Sequence, residues 1–120
     1  MKEDRLYLTH IHEAIRDIND FVVDGRDTFL ISKLIQSAVL YKLQTLAEST
    51  QRLSETLKAA QPEVNWRAIR GLRNVLVHDY TGINLEEIWN IIERDLPQLK
   101  TAVEALLNTP DQDEGDTAPG

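Results

Sequence analysis

The stretch WRAIRGLRNVLVHDY at positions 66–80 gathers three arginines, an asparagine, a histidine and a tyrosine. A guanidinium presents a fork of N–H donors that fits the oxygens of a phosphate, and an imidazole exchanges a proton near neutral pH. Such a set can bind an anion and move a proton beside it. Arg67, Arg70 and Arg73 are three apart, so on a helix they form a cationic stripe that drifts slowly around the axis. For Arg67 and Arg70 an ordinary solvated face explains that stripe without any ligand. Asn74 and His78, at i and i+4, share a face, whereas Arg73 and His78 are separated by about 140° on an ideal helix. Helix geometry alone therefore does not pair Arg73 with His78. They meet if the helix ends at His78, or if a twofold axis sets this helix beside its copy in a second subunit, with each arginine near both histidines. A homodimer is the natural expectation. Taken alone, a histidine at a helix end reads as a partner for the helix dipole. Tyr80 falls about 20° from Arg73 if the helix persists, beside the same face. Gly71 costs about 1 kcal/mol relative to alanine inside a helix, and reads either as a close approach by another backbone or as a tolerated neutral residue.

The rest of the composition removes alternatives. The chain has no cysteine, which excludes disulfides, thiolate metal sites and cysteine nucleophiles and makes a cytosolic setting the default. His10 and His12 point about 200° apart on a helix and cannot share a metal, so both read as surface or packing residues. Glu86, Glu87 and Glu93 lack the accompanying Glu-x-x-His pattern of di-metal bundles. No metal and no cofactor is expected. The formal net charge is −7, but Asp111, Asp113, Glu114 and Asp116 supply four of those charges, and the remainder carries −3. Long-range attraction of a polyanion is thereby excluded, while a local cationic site is not.

The elements that must hold these residues are helical. At 120 residues the chain suits one domain with one core, and its 42% apolar and 28% charged content is that of a folded soluble protein. Leu8, Ile11, Ile15, Ile18 and Val22 recur at spacings of three and four and predict a first helix over residues 5–23, which is neither a signal peptide nor a membrane span. Asp24, Gly25 and Arg26 break the pattern, and Asp27 or Thr28 can cap a second helix. Residues 29–57 contain no Gly or Pro, with Leu30, Leu34, Val39, Leu43, Leu46 and Leu53 in rhythm, which predicts one long helix with a bend or break open at Ser49 and Thr50. Pro62 closes that segment, Asn65 caps the third helix through Trp66, Ile69, Leu72 and Leu76, and residues 85–107 form a last amphipathic helix kinked at Pro97. The final segment, NTPDQDEGDTAPG, has no large apolar side chain and is expected to be disordered. The fold class is thus all-α, an up-and-down bundle of four to five helices over residues 1–107 with an acidic tail at 108–120.

The segment RNVLVHDY matches the pattern R-polar-x-x-x-H that marks HEPN domains, and its extension R-x4-H-x-Y resembles the HepT family of bacterial toxin-antitoxin systems. The run PEVNWRAIRGLRNVLVHDYTGINLEEIWNIIERDLPQL looks HepT-like almost throughout, and the order and lengths of the earlier helices match as well. Asp79 falls at a position that varies in such proteins. The resemblance implies a metal-independent endoribonuclease working as a twofold homodimer with the two motifs facing across a cleft. In that implied chemistry His78 accepts the proton of an RNA 2′-hydroxyl, since an imidazole with pKa near 6.5 does so at neutral pH. Arg73 clamps the charge that gathers on the attacked phosphate. Asn74 supports the imidazole or the phosphate, and the expected product is a 2′,3′-cyclic phosphate. Arg70 and Arg67 are the candidate RNA-binding residues. The resemblance further implies silencing by a partner nucleotidyltransferase of the minimal MNT type, which attaches AMP to Tyr80.

The first functional reading is therefore the toxin of a type VII-like HEPN/MNT toxin-antitoxin system. Its substrate would be RNA, expected to be tRNA, and its setting the cytoplasm, in a hetero-oligomer with the antitoxin and without a membrane. The alternative is a non-catalytic helical module that partners a nucleotidyltransferase; the presence of Arg73, Asn74 and His78 together favours the enzyme. A third reading makes the bundle the substrate-binding helper of a small nucleotidyltransferase. The chain itself lacks the Gly-Ser strand-turn and paired aspartates of a transferase.

Overall fold

The computed structural model describes residues 2–78 and 84–109, with the side chains of residues 2 and 74–78 outside the description. Among the described residues there is no strand, and the elements run α1 (Lys2–Phe21), α2 (Arg26–Ile31), α3 (Lys33–Gln51), α4 (Glu55–Ala59), α5 (Trp66–His78), α6 (Leu85–Asn90), a π-helical segment (Ile91–Asp95) and α7 (Leu96–Asn108). α1 packs against both α3 and α7, α3 against α5, and α5 against the π segment, closing a ring of helices around one core. The all-α bundle follows from that ring. Leu8, Ile11, Ile15 and Ile18 of α1, Val39, Leu43 and Leu46 of α3, Ile69 and Leu72 of α5, and Leu96, Leu99 and Val103 of α7 are buried in it.

The long second helix expected over residues 29–57 is three helices. Ser32 adopts an extended conformation (φ −97°, ψ 108°), ends α2 and caps α3 by accepting from the Ile35 N–H at 3.2 Å. Gln36 Nε2 donates to the carbonyls of Phe29 and Leu30 at 3.0 and 3.1 Å, satisfying acceptors that the break leaves open. The break resets the helical phase, and Leu34, placed in the core by an unbroken rhythm, is 81% exposed. The second break comes just beyond Ser49 and Thr50. α3 continues to Gln51, Thr50 Oγ1 donates to the Ala47 carbonyl at 2.8 Å, and Ser54 caps α4 through the Leu57 N–H at 3.2 Å. α2 is preceded by Gly25 at φ 94°, a conformation that suits glycine, and neither Asp27 nor Thr28 is its cap.

The distortion expected at Pro97 lies one turn earlier. The Leu96 N–H reaches the Ile91 carbonyl, five residues back, in the π segment. A widened turn there accommodates a ring that cannot donate and would crowd the preceding turn. The same segment turns Asp95 into the core, 2% exposed, while Trp89 of α6 stacks at a tilt on Phe29 with centroids 5.6 Å apart.

Polar contacts fix the ends of the ring. Asp4 on α1 accepts from Ser54 N–H at 2.9 Å and from Ser54 Oγ at 2.8 Å, pinning the α3–α4 break. Arg5 donates to the carbonyls of Leu107 and Thr109 at the end of α7, at 2.9 and 3.2 Å, where a cation complements the helix dipole. His12, read from the sequence as a surface or packing residue, also joins α1 to α7 through Glu104 at 3.0 Å.

Candidate active site

α5 owes its position to one apolar face and one capped end. Ile69 and Leu72 are buried, and Asn65 Oδ1 accepts from the Ala68 N–H at 3.0 Å. The half-buried Trp66 donates its indole N–H to the carbonyls of Lys58 and Gln61, at 3.0 and 3.1 Å, so the end of α4 and the start of α5 share one anchor. The helix runs unbroken to His78, so residues 73 and 78 keep the separation of about 140° that an ideal helix imposes.

Arg73 is exposed, and its Nη1 donates to Gln51 Oε1, at the last turn of α3, at 2.6 Å. That bond uses one of the five guanidinium donors and holds the group at the surface between α3 and α5. Arg67 and Arg70 are also exposed. Asn74 and His78 belong to α5 by backbone, with side chains outside the described part, and Tyr80 and Asp79 lie outside the described residues, as does the tail from residue 110.

Beside Arg73 lies a cleft of about 260 Å³ between α3, α4 and α5, lined by Thr50, Gln51, Glu55, Lys58, Trp66 and Arg70 among others. Of the arginine stripe, Arg70 thus borders the cleft, and Arg73 reaches it through Gln51. Lys58 Nζ pairs with Glu55 at 2.8 Å. That hydrogen bond, with the charges of Lys58 and Arg70, holds the Glu55 carboxyl below its usual range. Two cations stand against one ionised carboxylate in that lining, and Arg70 is the surplus charge that leaves the cleft with positive character.

Sequence reasoning missed Gln51, Lys58, Glu55 and the packing role of Asp4, because each acts through a tertiary contact that no local spacing announces. Trp66 stood in the sequence as an apolar position and as part of the HepT-like run, without a role in the site. Gly71 is resolved in favour of its blander reading within one chain, since among the described residues no atom beyond its own stretch of helix lies within 4 Å of where a Cβ would stand. Among the described residues no group of three metal-ligating side chains converges, and no helix is long and apolar enough to cross a membrane.

The family model described as ribonuclease HepT-like matches residues 11–106. A Methanocaldococcus jannaschii protein provisionally named an RNase is 36% identical over 107 residues, covering 88% of each chain. A Thermococcus cleftensis protein named "Probable ribonuclease HepT" is 33% identical over 101 residues, 83% of this chain and 92% of its own. A second M. jannaschii protein with a provisional RNase name is 31% identical over 106 residues, 88% of this chain and 97% of its own. No solved structure matches the chain significantly. On the breadth of that family match, α1 through α7 included, the chain belongs to the ribonuclease HepT-like family.

Proposed function

We propose that the protein is a metal-independent endoribonuclease whose catalytic pair is Arg73 and His78. The observation that carries this reading is an exposed arginine, held by Gln51 on the helix that also supplies His78, in a chain of the ribonuclease HepT-like family. His78 takes the proton of the 2′-hydroxyl as that oxygen forms a bond to the adjacent phosphorus. The bond from phosphorus to the 5′-oxygen breaks, and the leaving oxygen receives a proton from an imidazolium or from water. Arg73 binds the phosphate oxygens as their charge grows, and Asn74 orients the imidazole or assists at the phosphate. The products are a 2′,3′-cyclic phosphate and a 5′-hydroxyl.

The 140° between positions 73 and 78 supports a twofold homodimer, in which the arginine of one subunit meets the histidine of the other. In this reading tRNA is the substrate, the cytoplasm the site of action, residues 1–107 the working domain and residues 108–120 an acidic tail. The partner is an MNT-type nucleotidyltransferase antitoxin, in a larger hetero-oligomer, that silences the toxin by transferring AMP to Tyr80. The added phosphate and adenosine would oppose RNA by charge and by bulk. The experiment is cleavage of total tRNA by the protein made without its partner, in excess chelator, beside His78→Ala and Arg73→Ala. Cutting by the wild type alone is expected. Equal silence of all three sinks the nuclease reading in favour of a binding module.

A further inference from the structure

We infer that the cleft between α3, α4 and α5 is a nucleotide subsite. It would hold the residue of the RNA strand next to the one being cut, with its base against Trp66 and its phosphate between Lys58 and Arg70. The inference rests on the reading of α5 as the nuclease helix. Three observations point the same way. The cleft and the Arg73 guanidinium are joined by a single side chain, for Gln51 both lines the cleft and accepts from Arg73 at 2.6 Å. The cleft therefore lies within one side chain of a phosphate resting on Arg73, where the neighbouring nucleotide of the strand can enter it. The volume of about 260 Å³ lies below the roughly 300–1,000 Å³ of pockets that enclose drug-sized ligands, so it fits one nucleotide better than a larger molecule.

The lining supplies both halves of single-strand recognition, an aromatic surface for a base and cations for the backbone. Trp66 is anchored by its N–H to two carbonyls, so a base stacking on it meets a ring already fixed in place. The paired Glu55 is not an obstacle. Its carboxylate is 89% exposed and held by Lys58, and it can swing out as a phosphate replaces it. Arg70, which as part of a helical stripe reads first as a solvated residue, gains a function from this placement, whereas Arg67 is not among the residues that line the cleft.

The test uses the full chain and a uniformly 2′-O-methylated oligoribonucleotide, which lacks the nucleophile and so is bound without being cut. Affinity is measured for the wild type, Lys58→Gln, Arg70→Gln and, as a control of equal charge change, Lys42→Gln, whose ammonium pairs with Asp17 away from the cleft. Each cleft variant is expected to weaken binding at least about fivefold and to lower the slope of affinity against salt by about 0.7–1. The control should stay within about twofold. Tryptophan emission should also fall saturably with the probe, because Trp66 lines the cleft while Trp89 is 8% exposed in the core. Cleft variants no weaker than Lys42→Gln, or emission unchanged at saturation, overturn the subsite. Cleavage of ordinary RNA separates the two claims. If the wild type cuts and the cleft variants bind normally, the subsite falls and the nuclease stands. If cleft-dependent binding is seen without any cutting, the nuclease reading falls and the nucleotide site remains.

Discussion

Asp4 is 6% exposed near the start of α1, and both its carboxylate oxygens are used on Ser54, fifty residues later in the chain. Ser54 spends its hydroxyl proton on Asp4 and its oxygen on the Leu57 N–H, so one acid fixes both the break after α3 and the cap of α4. Replacing Asp4 by alanine removes two charge-assisted hydrogen bonds, each worth about 1.5–3 kcal/mol. It also removes an acid from the first turn of α1, worth about 0.3–1 kcal/mol against the dipole. Ser54 is only half-buried, so water recovers part of this, and a net loss of about 2–3 kcal/mol is expected. At about 4 °C per kcal/mol the melting temperature should drop by roughly 8–12 °C. Asp4→Asn, which can still accept from the Ser54 N–H and donate to its hydroxyl, should lose about half as much. Urea unfolding followed by far-UV circular dichroism measures both variants, with a lower midpoint at unchanged slope as the expected signature. Asp4→Ala within about 0.5 kcal/mol of wild type would refute the assignment of Asp4 as the pin of this corner.

Gly71→Ala should raise stability by up to about 1 kcal/mol, since a methyl there meets no neighbour among the described residues; a lower melting temperature would show that another backbone seats against that face. On the proposed regulation, Tyr80→Phe should stay toxic to cells that also express an MNT-type nucleotidyltransferase partner, and full neutralisation of this variant would remove the tyrosine from that proposal. Asp17 raises the Lys42 pKa through a hydrogen bond at 2.9 Å between α1 and α3. The pair's contribution is complete below the unfolded lysine pKa and is lost as pH rises through the higher folded value. Both partners are partly exposed, so it should amount to under about 1 kcal/mol. The difference between wild type and Asp17→Asn in urea should vanish above that value, and a difference that grows there contradicts the sign.

Much of the fold was legible because apolar spacing reports burial directly: Ile11, Ile15 and Ile18, or Leu96, Leu99 and Val103, lie in the core as their period implies. The failure at Leu34 has one cause. Ser32 followed by Lys33 was read as helix interior, although a serine there can cap a helix and reset its phase, and Gln36 stabilises the break from within α3. At Pro97 the residue responsible was visible, but the π turn lies upstream of it and carries Asp95 inward, a placement that no spacing along the chain announces. The candidate site divides the same way. Arg73 was recognisable by its place in a motif, whereas the Gln51 that holds it comes from another helix, and no pattern along the chain links positions 51 and 73.

The central claim is that the nucleophile belongs to the RNA and the protein supplies a base and a clamp without a metal. One RNA that the protein cuts, synthesised with a single 2′-deoxy sugar on the 5′ side of the cleaved bond, tests this directly in excess chelator. The account predicts that the all-ribose strand is cut there to a 2′,3′-cyclic phosphate and a 5′-hydroxyl, and that the substituted strand is left intact at that bond. Cleavage of the substituted strand at the same bond, or of the all-ribose strand only when a divalent metal is restored, would contradict it.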